Sequence, residues 1–174
     1  MSKVILVLSF FFVNLAQAET RTVDHVNLKR YLGNWYEIAS IPQRFSEGCH
    51  CTRAKYGLRR DGQISVFNSC NKDSVNGELS EARGFARVDD EETNAKLRVS
   101  FFWPFFGDYW IIGLDSHYRY AVVSNEEGTS LWILSRTPKL NKKLLAEALG
   151  IAKANGIDTR ELSYTEQRAC IYPK

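Results

Sequence analysis

The chain has 174 residues, enough for one domain with a substantial core and too few for two comfortable ones. Its 23 basic and 20 acidic residues leave a formal charge of +3, a mild and mixed balance that gives no electrostatic footprint for nucleic acid. The 4 cysteines, at positions 49, 51, 70 and 170, are an even set whose meaning depends on compartment.

The first residues bear on that compartment. Lys3 supplies a positive charge, residues 4–13 form an apolar run broken only by Ser9, and Ala16-Gln17-Ala18 is a small-x-small cleavage site. These features predict a signal peptide over residues 1–18, cut after Ala18, and a single domain over residues 19–174. The apolar run is too short to span a bilayer, and no later stretch is long enough. The signal contains no cysteine, so a lipid anchor on a cysteine at the cleavage point is not expected. Export leads to an oxidising compartment, where disulfides are the default reading of the cysteines.

After a short polar lead, residues 26–32 read as a turn or two of helix with Leu28, Tyr31 and Leu32 on one face. Gly33 then leads into strand-forming residues that stop at Pro42. Trp35 is too large to leave in water and carries one N–H that needs a partner. It reads as the floor of a barrel or as an ordinary core residue. Period two puts Glu37 on the same side, where a carboxylate must be bonded to be tolerated. Glu37 therefore reads as a structural anchor rather than a catalytic acid.

Residues 42–50 form a polar loop. Residues 51–59 form a strand with Ala54, Tyr56 and Leu58 on one face. Asp61-Gly62 marks a hairpin, and residues 63–68 return with Ile64 and Val66 on one face. Residues 69–78 read as a polar loop that contains Cys70. Residues 81–88 alternate Ala82, Gly84, Ala86 and Val88 against Glu81, Arg83, Phe85 and Arg87. Residues 96–102 set Leu97, Val99 and Phe101 against Lys96, Arg98 and Ser100. The following run has too many bulky rings for one strand. Its centre, Phe102, Trp103, Pro104, Phe105 and Phe106, reads as an apolar loop that either binds something or folds back on the core.

Strands follow at 109–114, 118–124 and 131–136, with turns at 115–117 and 125–128. Eight short strands, each with one apolar face, predict an all-β fold: an eight-stranded up-and-down antiparallel barrel. Thr137-Pro138 ends the last strand. Asn141 suits a helix cap, Leu144, Leu145, Ala148, Leu149 and Ala152 form a stripe at helical spacing, and Gly156 ends the helix. This C-terminal α-helix is expected to pack outside the sheet. Residues 161–168 fit a last short strand.

Two distant stretches, taken together, carry a family resemblance. Gly33-Asn34-Trp35 opens the first strand, and Leu131-Trp132-Ile133-Leu134-Ser135-Arg136-Thr137-Pro138 closes the eighth. The chain resembles the lipocalins, most closely the bacterial lipocalin and apolipoprotein D branch, over nearly all of residues 19–174 and in the same element order. The resemblance implies that Gly33, Trp35 and Arg136 form a structural motif, with the arginine lying across the indole at the closed end. There a planar cation gains cation–π attraction and can bond nearby carbonyls. One motif departs: the family's frequent Thr-Asp-Tyr after the sixth strand is Leu114-Asp115-Ser116 here, and only the aspartate is kept. The resemblance also implies a Cys51–Cys170 disulfide. That leaves Cys49 and Cys70 to pair as loop residues at the open end, with Cys51–Cys70 still open as an alternative.

The function implied is binding of a small hydrophobic ligand, a long-chain fatty acid or lysophospholipid, for transport or storage and for membrane maintenance. The setting is the periplasm, with or without outer-membrane association, or the exterior. Tyr56, Val66, Val99 and Trp132 are expected to face the cavity, and the small Gly84 and Ala86 to leave room in it. Arg44, Lys72 or Arg98 near the mouth would hold a carboxylate or phosphate head. The aromatic stretch from Phe102 through Phe106 would sit at that mouth and touch a membrane or a second subunit. His25, His50 and His117 are scattered over three segments, and no Ser-His-Asp grouping has a recognisable spacing. No catalytic residue, metal or cofactor is therefore expected. The alternatives are a lipocalin-type isomerase or oxidoreductase using Cys49-His50-Cys51 as a thiol pair, and an interaction protein using the aromatic loop.

Overall fold

The computed structural model describes residues 20–172. The expected signal peptide over residues 1–18 lies outside the described residues. β1 (Gly33–Ser40) determines the architecture because it bonds on both edges. Gly33 to Tyr36 pair antiparallel with β2 (Cys49–Leu58), and from Tyr36 onward the strand pairs with β8 (Leu131–Ser135). Between them β3 (Ile64–Lys72), β4 (Leu79–Val88), β5 (Lys96–Phe102), β6 (Phe105–Leu114) and β7 (Tyr120–Ser124) pair in chain order. Eight strands thus close an up-and-down antiparallel barrel, and closure removes the exposed edges that an open sheet would have.

Alternation sorts the side chains into two layers. Trp35, Ile64, Val66, Leu97, Ile111 and Val123 belong to the cluster inside the barrel. Their neighbours one residue along, such as Ile112 and Val122, join Ile133 in a second cluster against α2 (Lys142–Ala154). The helix begins where the Asn141 side chain accepts the Leu144 N–H and gives way at Gly156, whose φ of 74° is left-handed. Leu144, Ala148 and Ala152 are its buried residues. It lies close on the sheet because β6 offers Gly113, where a Cβ would come within 2.9 Å of the Ile151 side chain. A four-residue helix, α1 (Leu28–Tyr31), runs straight into β1 and covers the closed end.

Several strand boundaries differ from the sequence expectation. β3 runs on to Lys72, so Cys70 is a strand residue paired with Ser80 and not a loop residue; Cys49 likewise opens β2, paired with Lys72. Ser69 and Asn71 look like loop composition, yet they hold register positions in the ladders to β2 and β4. The aromatic run is mostly strand: β5 ends at Phe102, β6 begins at Phe105, these two residues pair, and only Trp103-Pro104 form the turn, with a cis peptide bond. Tyr118 stands in the turn before β7 with φ of 61°, and its hydroxyl oxygen accepts the Asn27 N–H.

β1 and β2 part company above Tyr36, and the C-terminal segment fills that seam. The short β9 (Ser163–Tyr164) pairs with Ala39 and Ser40 of β1. Below it the Gln167 amide donates to both Glu37 O and Thr52 O, at 2.8 Å each, bridging the two strands. The Cys51–Cys170 disulfide then fastens the tail to β2.

Candidate ligand cavity

A cavity of about 530 Å³ occupies the barrel. Its closed end is built from the junction of α1 and β1. Trp35 is fully buried there, and its indole N–H donates to Tyr31 O at 2.8 Å. The Arg136 guanidinium, arriving from the end of β8, lies 3.8 Å from the centre of that indole. It also donates to Leu32 O and Asn34 O, both at 2.9 Å. Gly33 has φ of 96°, a conformation a side chain would resist, and a Cβ there would stand 3.4 Å from Arg136 Nη1.

Three phenols form the polar part of the floor. Tyr31 Oη and Tyr109 Oη are 2.8 Å apart, and Tyr56 Oη and Tyr109 Oη 3.1 Å. Burial raises the pKa of all three, that of Tyr56 to about 12, so they remain neutral at physiological pH. Tyr31 reads in the sequence only as one apolar position on a helical turn, and Tyr109 only as the start of a strand. Strand parity could have placed Tyr56 and Tyr109 on the inward side, since Tyr109 faces Leu97 and Tyr56 faces Val66, but it says nothing of Tyr31, which lies on a helix.

The walls are apolar. Val66, Val99 and Trp132, with Tyr56 lower down, line the cavity together with Leu97 and Leu134. Ala82 and Ala86 also line it, while the space that Gly84 leaves is taken by the Ser100 carbonyl oxygen and by the Phe101 ring, the ring 2.9 Å from where a Cβ would be. Glu37 points inward as period two requires. Thr165 donates its hydroxyl proton to Glu37 Oε1 at 2.5 Å. Burial raises the Glu37 pKa, and the hydrogen bonds to Thr165 and Ser40 only partly offset that. Nearby, Thr52 Oγ1 and Asn68 Oδ1 are buried without a hydrogen-bond partner among the described residues.

The mouth differs from the expected ring of cations. Arg44, Lys72 and Arg98 are not among its lining residues. The Lys72 ammonium donates to Glu47 O. Arg98 alternates with inward Leu97 and Val99, so it lies outside, near Asp89 and Asp108 and over the Phe106 ring. In their place Phe45, Phe102 and Phe105 rim the opening, 74%, 81% and 76% exposed, and Trp103 stands beyond them at 73%. The Cys49–Cys70 disulfide also borders the cavity. Because Cys49 and Cys51 are each joined to a distant cysteine, Cys49-His50-Cys51 is not a thiol pair, and the redox alternative loses its reactive group.

Comparison with known proteins places this geometry. The lipocalin-like domain family matches residues 26–167. The chain is 40% identical over 146 residues to outer membrane lipoprotein Blc of Escherichia coli (strain K12), covering 83% of this chain and 81% of that protein. It is 33% identical over 156 residues to apolipoprotein D of Mus musculus, covering 84% of this chain and 80% of the relative. Among solved structures, insecticyanin from the tobacco hornworm Manduca sexta has a TM-score of 0.71 at 21% identity, with 88% of each chain covered. Apocrustacyanin C2 has a TM-score of 0.67 at 18% identity, covering 82% of this chain and 81% of the other. At such identities these two structures speak for the fold alone.

Proposed function

The chain belongs to the lipocalin family, and from that premise we propose that it binds a long-chain fatty acid or lysophospholipid in the barrel and carries or stores it. The observation that carries this reading is the cavity of about 530 Å³ with walls of Val66, Val99, Leu97 and Trp132. Each buried CH₂ contributes about 0.8 kcal/mol, so a long alkyl chain gains ample free energy against the cost of immobilising it. Catalysis is not part of the proposal. Native mass spectrometry of protein purified under mild conditions is the test. A co-purified lipid at one per chain supports the reading, and an empty barrel that gives no calorimetric signal with fatty acid or lysophospholipid overturns it.

The rim residues Phe45, Phe102, Trp103 and Phe105 support peripheral membrane contact as the way in which the ligand enters and leaves. Four large apolar side chains around one opening exceed the scattered surface hydrophobics of an ordinary fold. The signal-like residues 1–18, the two disulfides and the name of the Escherichia coli relative support export to the periplasm, with outer-membrane association, or secretion. Flotation with vesicles tests the contact. Loss of flotation in Phe102→Ser with Phe105→Ser supports it, whereas dimerisation through the same tip without flotation would make the rim a subunit interface.

A further inference from the structure

The three floor phenols carry a count that does not close. Each of Tyr31, Tyr56 and Tyr109 brings one O–H proton, three in all. Only two hydrogen bonds join them, Tyr31 to Tyr109 at 2.8 Å and Tyr56 to Tyr109 at 3.1 Å. Whichever way the protons are arranged, two are used and one is left with no acceptor among the three. All three side chains line the cavity, so the spare donor is available to whatever fills the barrel. An unmatched donor in an apolar enclosure is costly until an acceptor reaches it.

We infer that this trio is a floor site for an oxygen acceptor, the carbonyl or carboxylate of a ligand that enters polar end first. The inference rests on the carrier reading and adds an orientation to it. The electrostatics of the floor agree. The Tyr31 ring is 5.0 Å from the Trp35 ring, which the Arg136 cation covers, so the floor lies in a positive field. The middle of the wall is mixed in character: Glu37 and Asn68 Oδ1 present acceptors there, and Thr52, Ser69 and Arg53 also border the cavity. The rim offers phenylalanine rings, matching an emerging alkyl tail better than a charged head. The trio therefore selects for ligands that have an acceptor at one end and hydrocarbon at the other.

The test compares wild type with the variant carrying Tyr31→Phe, Tyr56→Phe and Tyr109→Phe together, which keeps the rings and removes every hydroxyl. Three probes are used: hexadecanoic acid, its methyl ester, and diphenylhexatriene, a hydrocarbon fluorophore without oxygen. Affinity for hexadecanoic acid should fall about tenfold in the variant, the loss of one unshared hydrogen bond, while diphenylhexatriene binding stays unchanged. An equal loss for the ester identifies the carbonyl as the feature bound, and a loss for the acid alone identifies the ionised carboxylate; both support the site. Unchanged acid binding overturns the site while the carrier reading stands, whereas failure of all three probes to bind wild type overturns the carrier reading itself. A second readout needs no variant. The carboxyl carbon of ¹³C-labelled hexadecanoic acid should be shielded from a soluble gadolinium chelate in wild type, and broadening by the chelate would put the head at the mouth and end the proposal.

Discussion

The Arg136 guanidinium covers the Trp35 indole at 3.8 Å while donating to the carbonyls of Leu32 and Asn34, so one side chain from the eighth strand ties down the turn that launches the first. Trp35 in turn holds Tyr31 O through its indole N–H. Trp35→Ala should cost about 3–5 kcal/mol, the range for emptying a large buried aromatic site. Arg136→Lys should cost less, about 1–3 kcal/mol, because the ammonium keeps the charge but cannot stack as a plane while bonding the carbonyls of Arg30, Leu32 and Asn34. Urea unfolding at neutral pH measures both. A Trp35→Ala midpoint close to wild type would remove Trp35 as the keystone of the closed end.

The two disulfides should differ in weight. Cys51–Cys170 closes a separation of 119 residues and Cys49–Cys70 one of 21. In the chain-entropy model these constrain the unfolded chain by about 5 and about 3 kcal/mol, with engineered cases often lower. The first also fastens the segment whose Gln167 bridges Glu37 O and Thr52 O. Cys51→Ser with Cys170→Ser should therefore destabilise more than Cys49→Ser with Cys70→Ser, and should speed hydrogen exchange at Thr165, whose N–H bonds Ile38 O. The reverse order of stability would contradict the role of the tail as the seal of the β1–β2 seam.

The barrel was legible in the sequence because most strands have one wet face and one dry face. Ala82 to Val88 and Leu97 to Phe101 alternate without a break, and their parity alone places Val99 inward and Arg98 outward. That parity also argued against Arg98 as a headgroup ligand, since Leu97 and Val99 were already inward. Boundaries failed where composition and pairing disagree. Ser69 and Asn71 have loop chemistry but occupy ladder positions, and Phe102 and Phe105 sit on paired strands although their density suggests an irregular loop. The tyrosine trio was out of reach for a different reason. Its members come from α1, β2 and β6, and only closure of the barrel brings their hydroxyls together.

Glu37 makes stability fall as pH rises. Its folded pKa lies above the ordinary value of 4.5, chiefly because burial disfavours the ion. Between the unfolded value and the raised folded value the native state holds more protons than the unfolded chain, so the slope of stability against pH is negative in that window. Glu37→Gln removes the titration and can keep an acceptor toward Thr165. The variant should unfold close to wild type at the acid end of the window and become progressively more stable than wild type as pH passes upward through it, reaching a constant advantage once Glu37 is ionised in both states. Thermal unfolding from pH 4 to pH 8 gives the comparison, and parallel curves would mean that Glu37 is not desolvated as its position implies.

Trp132 should report the ligand directly. It lies in β8 between Ser40 of β1 and Val123 of β7 and lines the cavity. The other three tryptophans are placed where a barrel ligand affects them less. Trp35 is sealed under Arg136, Trp110 packs in the helix-side cluster beneath the Lys96 ammonium, and Trp103 stands exposed at the tip of the β5–β6 hairpin. A saturable fluorescence change on adding a long-chain fatty acid or lysophospholipid should therefore persist in Trp103→Phe and disappear in Trp132→Phe. Trp132→Ala, which also removes the wall surface, should weaken binding about tenfold, corresponding to about 1.4 kcal/mol of lost contact. If the change instead disappears in Trp103→Phe and survives in Trp132→Phe, the lipid is adsorbing to the aromatic rim and not entering the barrel.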